Sequence, residues 1–221
     1  MNFLFPFTFR NLVQSGQQCT RRLALFFTAT AHAQVGNNSS LLDPNLASAD
    51  ELTAVPHMTA ELVEALVAAR PVNSTSQLDE ILGASLSDEQ KNEVYGKLFR
   101  QIDLNNASDA DIMLIPGMSK KMAHEFDEYR PYSSLEQFRR EIGKYVDEDE
   151  VARLEQYIYI PMNLNTASEE AFLTIPGMTK RMAHEFDEYR PYSDLEQFRR
   201  EIGKYVDEDE VSRLESYVTL K

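Results

Sequence analysis

From about residue 42 onward, apolar positions recur at the three- and four-residue spacing of short amphipathic helices, interrupted by proline, glycine and capping residues. The middle of the chain shows the pattern most clearly. Ser108, with Asp111 three residues on, reads as a capping box opening a helix that buries Ile112, Met113 and Ile115. Pro116-Gly117 ends that helix and turns the chain. Ser119, a preferred N-cap, starts a second helix with Met122, Ala123, Phe126 and Tyr129 along one face. Arg130-Pro131-Tyr132 stops it, because the residue before a proline is pushed out of helical conformation. Ser133 and Glu136 form another capping box, and Leu135 and Phe138 give the third helix its inner face. Gly143 breaks that helix, and Asp147 with Glu150 caps a fourth that turns Val151, Leu154 and Ile158 inward. Caps, breakers and apolar spacing agree, so the expected fold class is all-α.

The pattern returns every sixty residues without a gap. Pro56, Pro116 and Pro176 align, as do Arg70-Pro71, Arg130-Pro131 and Arg190-Pro191, and Gly83, Gly143 and Gly203. Leu135 to Val151 is repeated letter for letter at Leu195 to Val211. The first copy keeps the skeleton, with caps at Ser48 and Glu51 and at Ser87 and Gln90. Three units are therefore expected, at residues 42–101, 102–161 and 162–221, each with a second, degenerate hairpin at its later glycine. A unit this small is marginal alone. The units either pack on one another or swing on short junctions such as Ile160-Pro161-Met162.

The candidate chemistry lies at the Pro-Gly turns. Ile115-Pro116-Gly117-Met118-Ser119-Lys120-Lys121 returns as Ile175-Pro176-Gly177-Met178-Thr179-Lys180-Arg181, and in altered form as Val55-Pro56-His57-Met58-Thr59-Ala60-Glu61. In the later two copies a helix opens with two cations beside its free N–H groups, where the macrodipole prefers an acid. A bound phosphate would remove that conflict. These turns resemble the helix-hairpin-helix motif. With the flanking Ile102-Asp103-Leu104-Asn105-Asn106-Ala107-Ser108 and Asn163-Leu164-Asn165-Thr166-Ala167-Ser168, residues of about 42 to 221 resemble the exported DNA-uptake proteins of the ComEA type. The motif's second glycine is replaced by Ser119, Thr179 and Thr59. The resemblance implies that Gly117 and Gly177 let the backbone approach a DNA phosphate. The N–H groups at Ser119 and Thr179 would donate to it, and Lys120, Lys121, Lys180 and Arg181 would supply charge. Such contacts carry no sequence specificity. The alternative is that Ser119 and Thr179 only cap helices beneath solvated cations. The first copy, with His57 for the glycine and Glu61 for a cation, is not expected to bind phosphate.

Charge and the N-terminus change the picture. Residues 1–33 hold Arg10, Arg21 and Arg22 but no acid, then the apolar run Leu23 to Phe27 and Ala31-His32-Ala33. That order reads as a removable signal peptide, followed by a polar linker at 34–41, and predicts a periplasmic or secreted protein. Cys19, the single cysteine, falls within it, so the remainder has no thiol chemistry. The whole chain carries a formal charge of −14; without those three arginines, 19 cations face 36 acids, or −17. Such acidity repels polyanions at long range. It favours a second reading, a protein–protein module. Asp103-Leu104-Asn105-Asn106, the Pro116-Gly117 hairpin and Pro131-Tyr132-Ser133-Ser134 also resemble the PsbU-type extrinsic subunits of photosystem II, which are exported and bind protein.

His124-Glu125-Phe126-Asp127-Glu128 lacks the second histidine of a zincin, and Asp147 to Glu150 lacks the loop glycine of an EF-hand. Arg139-Arg140 and Arg199-Arg200 lie among glutamates, so each pair belongs to a mixed-charge helix face. Tyr129, Tyr132, Tyr189 and Tyr192 are expected to pack between helices rather than stack on bases. No catalytic residue, metal site, cofactor, small-molecule substrate or transmembrane segment after signal cleavage is expected. The expected partner is DNA or another protein.

Overall fold

The computed structural model describes residues 35, 36 and 40–221; the expected signal segment lies outside the described residues. The chain is broadly helical, and its elements keep the sixty-residue period. The first stretch holds α1 (Ala49–Thr53), α2 (Ala60–Ala68), α3 (Thr75–Leu82) and α4 (Asp88–Tyr95). The second runs β1 (Ile102–Asp103), α5 (Asp109–Met113), α6 (Lys120–Glu128), α7 (Leu135–Ile142), α8 (Glu148–Glu155) and β2 (Ile158–Tyr159). The third runs β3 (Met162–Asn163), α9 (Glu169–Phe172), α10 (Lys180–Glu188), α11 (Leu195–Ile202), α12 (Glu208–Glu215) and β4 (Val218–Thr219). Among the described residues, no helix is long and apolar enough to cross a membrane.

Among the described residues, four two-residue strands supplement the expected helices. β1 pairs in parallel with β2, and β3 with β4, so each pair ties the start of a stretch to its end. Leu42 and Leu98 form the matching bridge in the first stretch. Ile158 is buried as expected, but on a strand, because helix α8 ends at Glu155. Its β-branched neighbourhood suits an extended ladder better than another helical turn.

Most of the expected caps form. The side chains of Ser48, Ser87, Ser108, Ser119 and Asp147 each accept a backbone N–H three residues on. One is displaced: Ser134, not Ser133, caps α7, accepting the Gln137 N–H at 3.2 Å. The Asn105 side chain causes this shift. Its oxygen accepts the Tyr132 N–H at 2.7 Å and its amide donates to the Tyr132 carbonyl at 2.9 Å, holding the chain extended past the proline. Met113, expected inside, is 40% exposed, because at about 100° per residue it turns away from the face that Ile112 and Ile115 share.

The expected linker is in part structural. Val35 is buried and bridges Tyr159 in antiparallel sense, and the Gly36 N–H donates to the Ile158 carbonyl at 3.2 Å. Any side chain at Gly36 would overlap the Glu155 carbonyl. A lone valine in a polar run offers no periodicity from which to read this.

The stretches pack on one another. One apolar core runs from Leu41 through the first two stretches, with Phe99 edge-on to Tyr157 at 4.9 Å. A second core gathers the third stretch with Val35 and Tyr159. Arg100 is buried, its guanidinium donating to the Tyr217 hydroxyl at 2.6 Å and to Ser216 at 2.8 Å. Ser76 donates its N–H and hydroxyl to Asp111 at 3.0 and 2.6 Å, joining α3 to the start of α5.

Candidate anion-binding hairpins

The turn at Gly117 is closed by the Met118 N–H donating to the Ile115 carbonyl at 3.0 Å. Gly117 has φ +74°, a conformation open to glycine at little cost. Ser119 then caps α6, its hydroxyl oxygen accepting the Met122 N–H at 3.1 Å. Among the described residues, the N–H groups of Ser119, Lys120 and Lys121 find no acceptor. They lie at the positive end of the helix, whose first two residues are Lys120 and Lys121. Lys120 makes no ion pair with a described residue, and the Lys121 ammonium lies 5.8 Å from the centre of the Tyr145 ring.

The third stretch repeats the arrangement. Gly177 has φ +73°, Met178 closes the turn on Ile175 at 3.0 Å, and the Thr179 hydroxyl oxygen accepts the Met182 N–H at 3.2 Å. The N–H groups of Thr179, Lys180 and Arg181 likewise find no acceptor among the described residues. Arg181 lies 3.9 Å from Glu185 and 5.7 Å from the Tyr205 ring centre. Each predicted group of four residues is thus brought together within its own hairpin.

An arginine that sequence reasoning missed stands beside each turn. Arg153 of α8 donates from Nη1 to the Pro116 carbonyl at 2.7 Å, and its Nη2 lies 3.6 Å from the place a Gly117 side chain would take. Glu150 grips it at 2.6 and 2.7 Å, which raises its pKa and offsets part of its charge. Arg213 and Glu210 are the equivalents in α12.

The first stretch shows the same turn closed from within. His57 occupies the glycine position at φ +62°, and its Nε2 meets Glu93, the counterpart of Arg153, at 2.9 Å. Glu61, in place of a cation, folds back on its helix. Its own backbone N–H, then the Thr59 hydroxyl, hold its carboxyl below the ordinary value. A built-in carboxylate thus sits where the other two turns present cations. The swap from Gly and Arg to His and Glu was the readable signal for Arg153.

The other candidate chemistries dissolve into packing and surface pairs. Arg139 and Arg199 are bound bidentately by Glu155 and Glu215. The Tyr129 and Tyr145 hydroxyls meet at 2.8 Å, with Lys144 over the Tyr129 ring. His124 is exposed, 3.8 Å from Glu128. Compared with protein-family models, with curated proteins and with solved structures, the chain gives no significant match.

Proposed function

We propose that this chain is an exported, non-enzymatic array of three helix-hairpin-helix units of the ComEA type, at residues 42–101, 102–161 and 162–221. It holds DNA by the phosphate backbone, without sequence preference and without a cofactor. The observation that carries this reading is the contrast between turns. N–H groups lacking an acceptor among the described residues stand at helix starts that carry Lys120, Lys121, Lys180 and Arg181, whereas the first unit carries Ala60 and Glu61 there. A phosphodiester oxygen at the two later turns would accept from the N–H groups and meet the cations at the positive end of the helix.

The test is fluorescence anisotropy of labelled duplex DNA at several salt concentrations. The native protein is compared with Lys120→Ala, Lys121→Ala, Lys180→Ala and Arg181→Ala combined. Binding that weakens with salt, and weakens less steeply in the variant, is the expected outcome. Absence of binding at low salt, where phosphate attraction is strongest, would leave the second reading. The net charge of −14 favours that reading, a protein–protein module of the PsbU type.

A further inference from the structure

The two intact hairpins are alike in sequence but differ in what lies over their glycines. Among the described residues, the space beside Gly117 holds only the Arg153 guanidinium, whose side chain is 33% exposed. Beside Gly177, a δ-carbon of Leu46 lies 2.9 Å from where a side chain would begin. Leu46 belongs to the turn Asp43–Ala47 of the first stretch, closed by Leu46 and Ala47 N–H groups on the Asp43 carbonyl. Arg213, the counterpart of Arg153, has a side chain only 2% exposed, and its buried Nη1 finds no partner among the described residues. Arg153 spends that nitrogen on Pro116.

The first stretch also meets α12 directly. Asn45, Arg70 and Pro71 share a cavity of about 200 Å³ with Asp207, Asp209, Glu210 and Arg213. Arg100 anchors the same contact through Tyr217 and Ser216. From this we propose that the first stretch masks the third hairpin, so that DNA phosphate is taken by the Gly117 hairpin alone, with Leu46 as the covering residue. The inference rests on the DNA-binding reading above. It adds that two turns of nearly identical sequence have different fates: one is a phosphate clamp and the other is a seat for the chain's own first unit.

Physically, a phosphate oxygen can approach a glycine backbone only where no other atom already fills the contact distance. A leucine methyl there narrows the approach to the Gly177 backbone from that side. Over the Gly117 turn a solvent-facing cation occupies that side instead. The second stretch carries Asn106 at the position of Leu46, so the same device is not repeated along the chain.

The experiment measures the slope of log affinity against log salt for labelled duplex DNA with four proteins. They are the native chain, Lys120→Ala with Lys121→Ala, Lys180→Ala with Arg181→Ala, and Leu46→Ala. Losing two phosphate contacts flattens the slope by about 1.8, so native affinity falls about 12-fold more than the variant's between 50 and 200 mM salt. That change is expected for the Lys120 and Lys121 pair and not for the Lys180 and Arg181 pair. Leu46→Ala, at an exposed position, is expected to steepen the slope by uncovering the second clamp. Equal flattening by both pairs, or no effect of Leu46→Ala, overturns the masking. Absence of native binding at low salt overturns the DNA reading itself, and the masking with it.

Discussion

Gly117 and Gly177 share a backbone conformation that costs an L-residue about 1–2 kcal/mol. His57 bears that cost in the first unit, and its contact with Glu93 at 2.9 Å gives the ring a fixed partner there. Gly117→Ala meets nothing closer than the Arg153 guanidinium at 3.6 Å, so a loss of about 1–2 kcal/mol in urea unfolding is expected. Gly177→Ala is expected to cost about the same, because the atom 2.9 Å from its methyl is the end of the exposed Leu46 side chain, which can turn aside. A negligible cost at either glycine would contradict the left-handed conformation of the turns. The turn glycines, Ser119 and Thr179 were readable from sequence because turn and cap chemistry is local. Arg153 left a single sign, the paired swap of Gly117 and Arg153 for His57 and Glu93 in the first copy, and nothing local shows that it reaches a carbonyl 37 residues earlier.

At the level of elements, hydrophobic period and caps placed nearly every helix, and the failures share one cause. Ser133 with Glu136 and Ser134 with Gln137 both satisfy a capping pattern, and only the Asn105 clasp on Tyr132 decides between them. The clasp joins residues 27 apart, beyond the reach of any local rule. The strand pairs were missed for the same reason, each joining two-residue segments more than fifty positions apart.

Asp111 shows what such contacts do for stability. It completes the α5 cap with Ser108 and receives two hydrogen bonds from Ser76 of α3. Burial pushes its carboxyl up, but the hydrogen bonds from Ser108 and Ser76 outweigh that and leave it below the ordinary value. A carboxyl lowered on folding stabilises above its unfolded pKa and loses that contribution as pH falls through the folded one. Asp111→Ala is therefore expected to cost about 1–2 kcal/mol at neutral pH. The gap from native should narrow in acid unfolding below the usual carboxylate range. A gap unchanged down to pH of about 2 would contradict the charged bridge.

Across the whole molecule, the sixty-residue register legible in sequence becomes a set of stretches closed end to end by short ladders and packed through shared cores. What the register could not reveal is that equivalent surfaces acquire different neighbours. Leu46 covers one hairpin, Val35 seats against Tyr159, and Arg100 is buried under Tyr217. Net acidity makes any contact with DNA a short-range matter, confined to sites where local N–H groups and cations outweigh the surrounding carboxylates. The most direct test follows backbone amide resonances by NMR while a short DNA duplex is added to the protein. Phosphate binding at the Gly117 hairpin predicts large, saturable shifts for the amides of Ser119, Lys120 and Lys121, and none for those of Thr59, Ala60 and Glu61, where an acid replaces a cation. Unmoved amides at 119–121, with shifts elsewhere or nowhere, would contradict it.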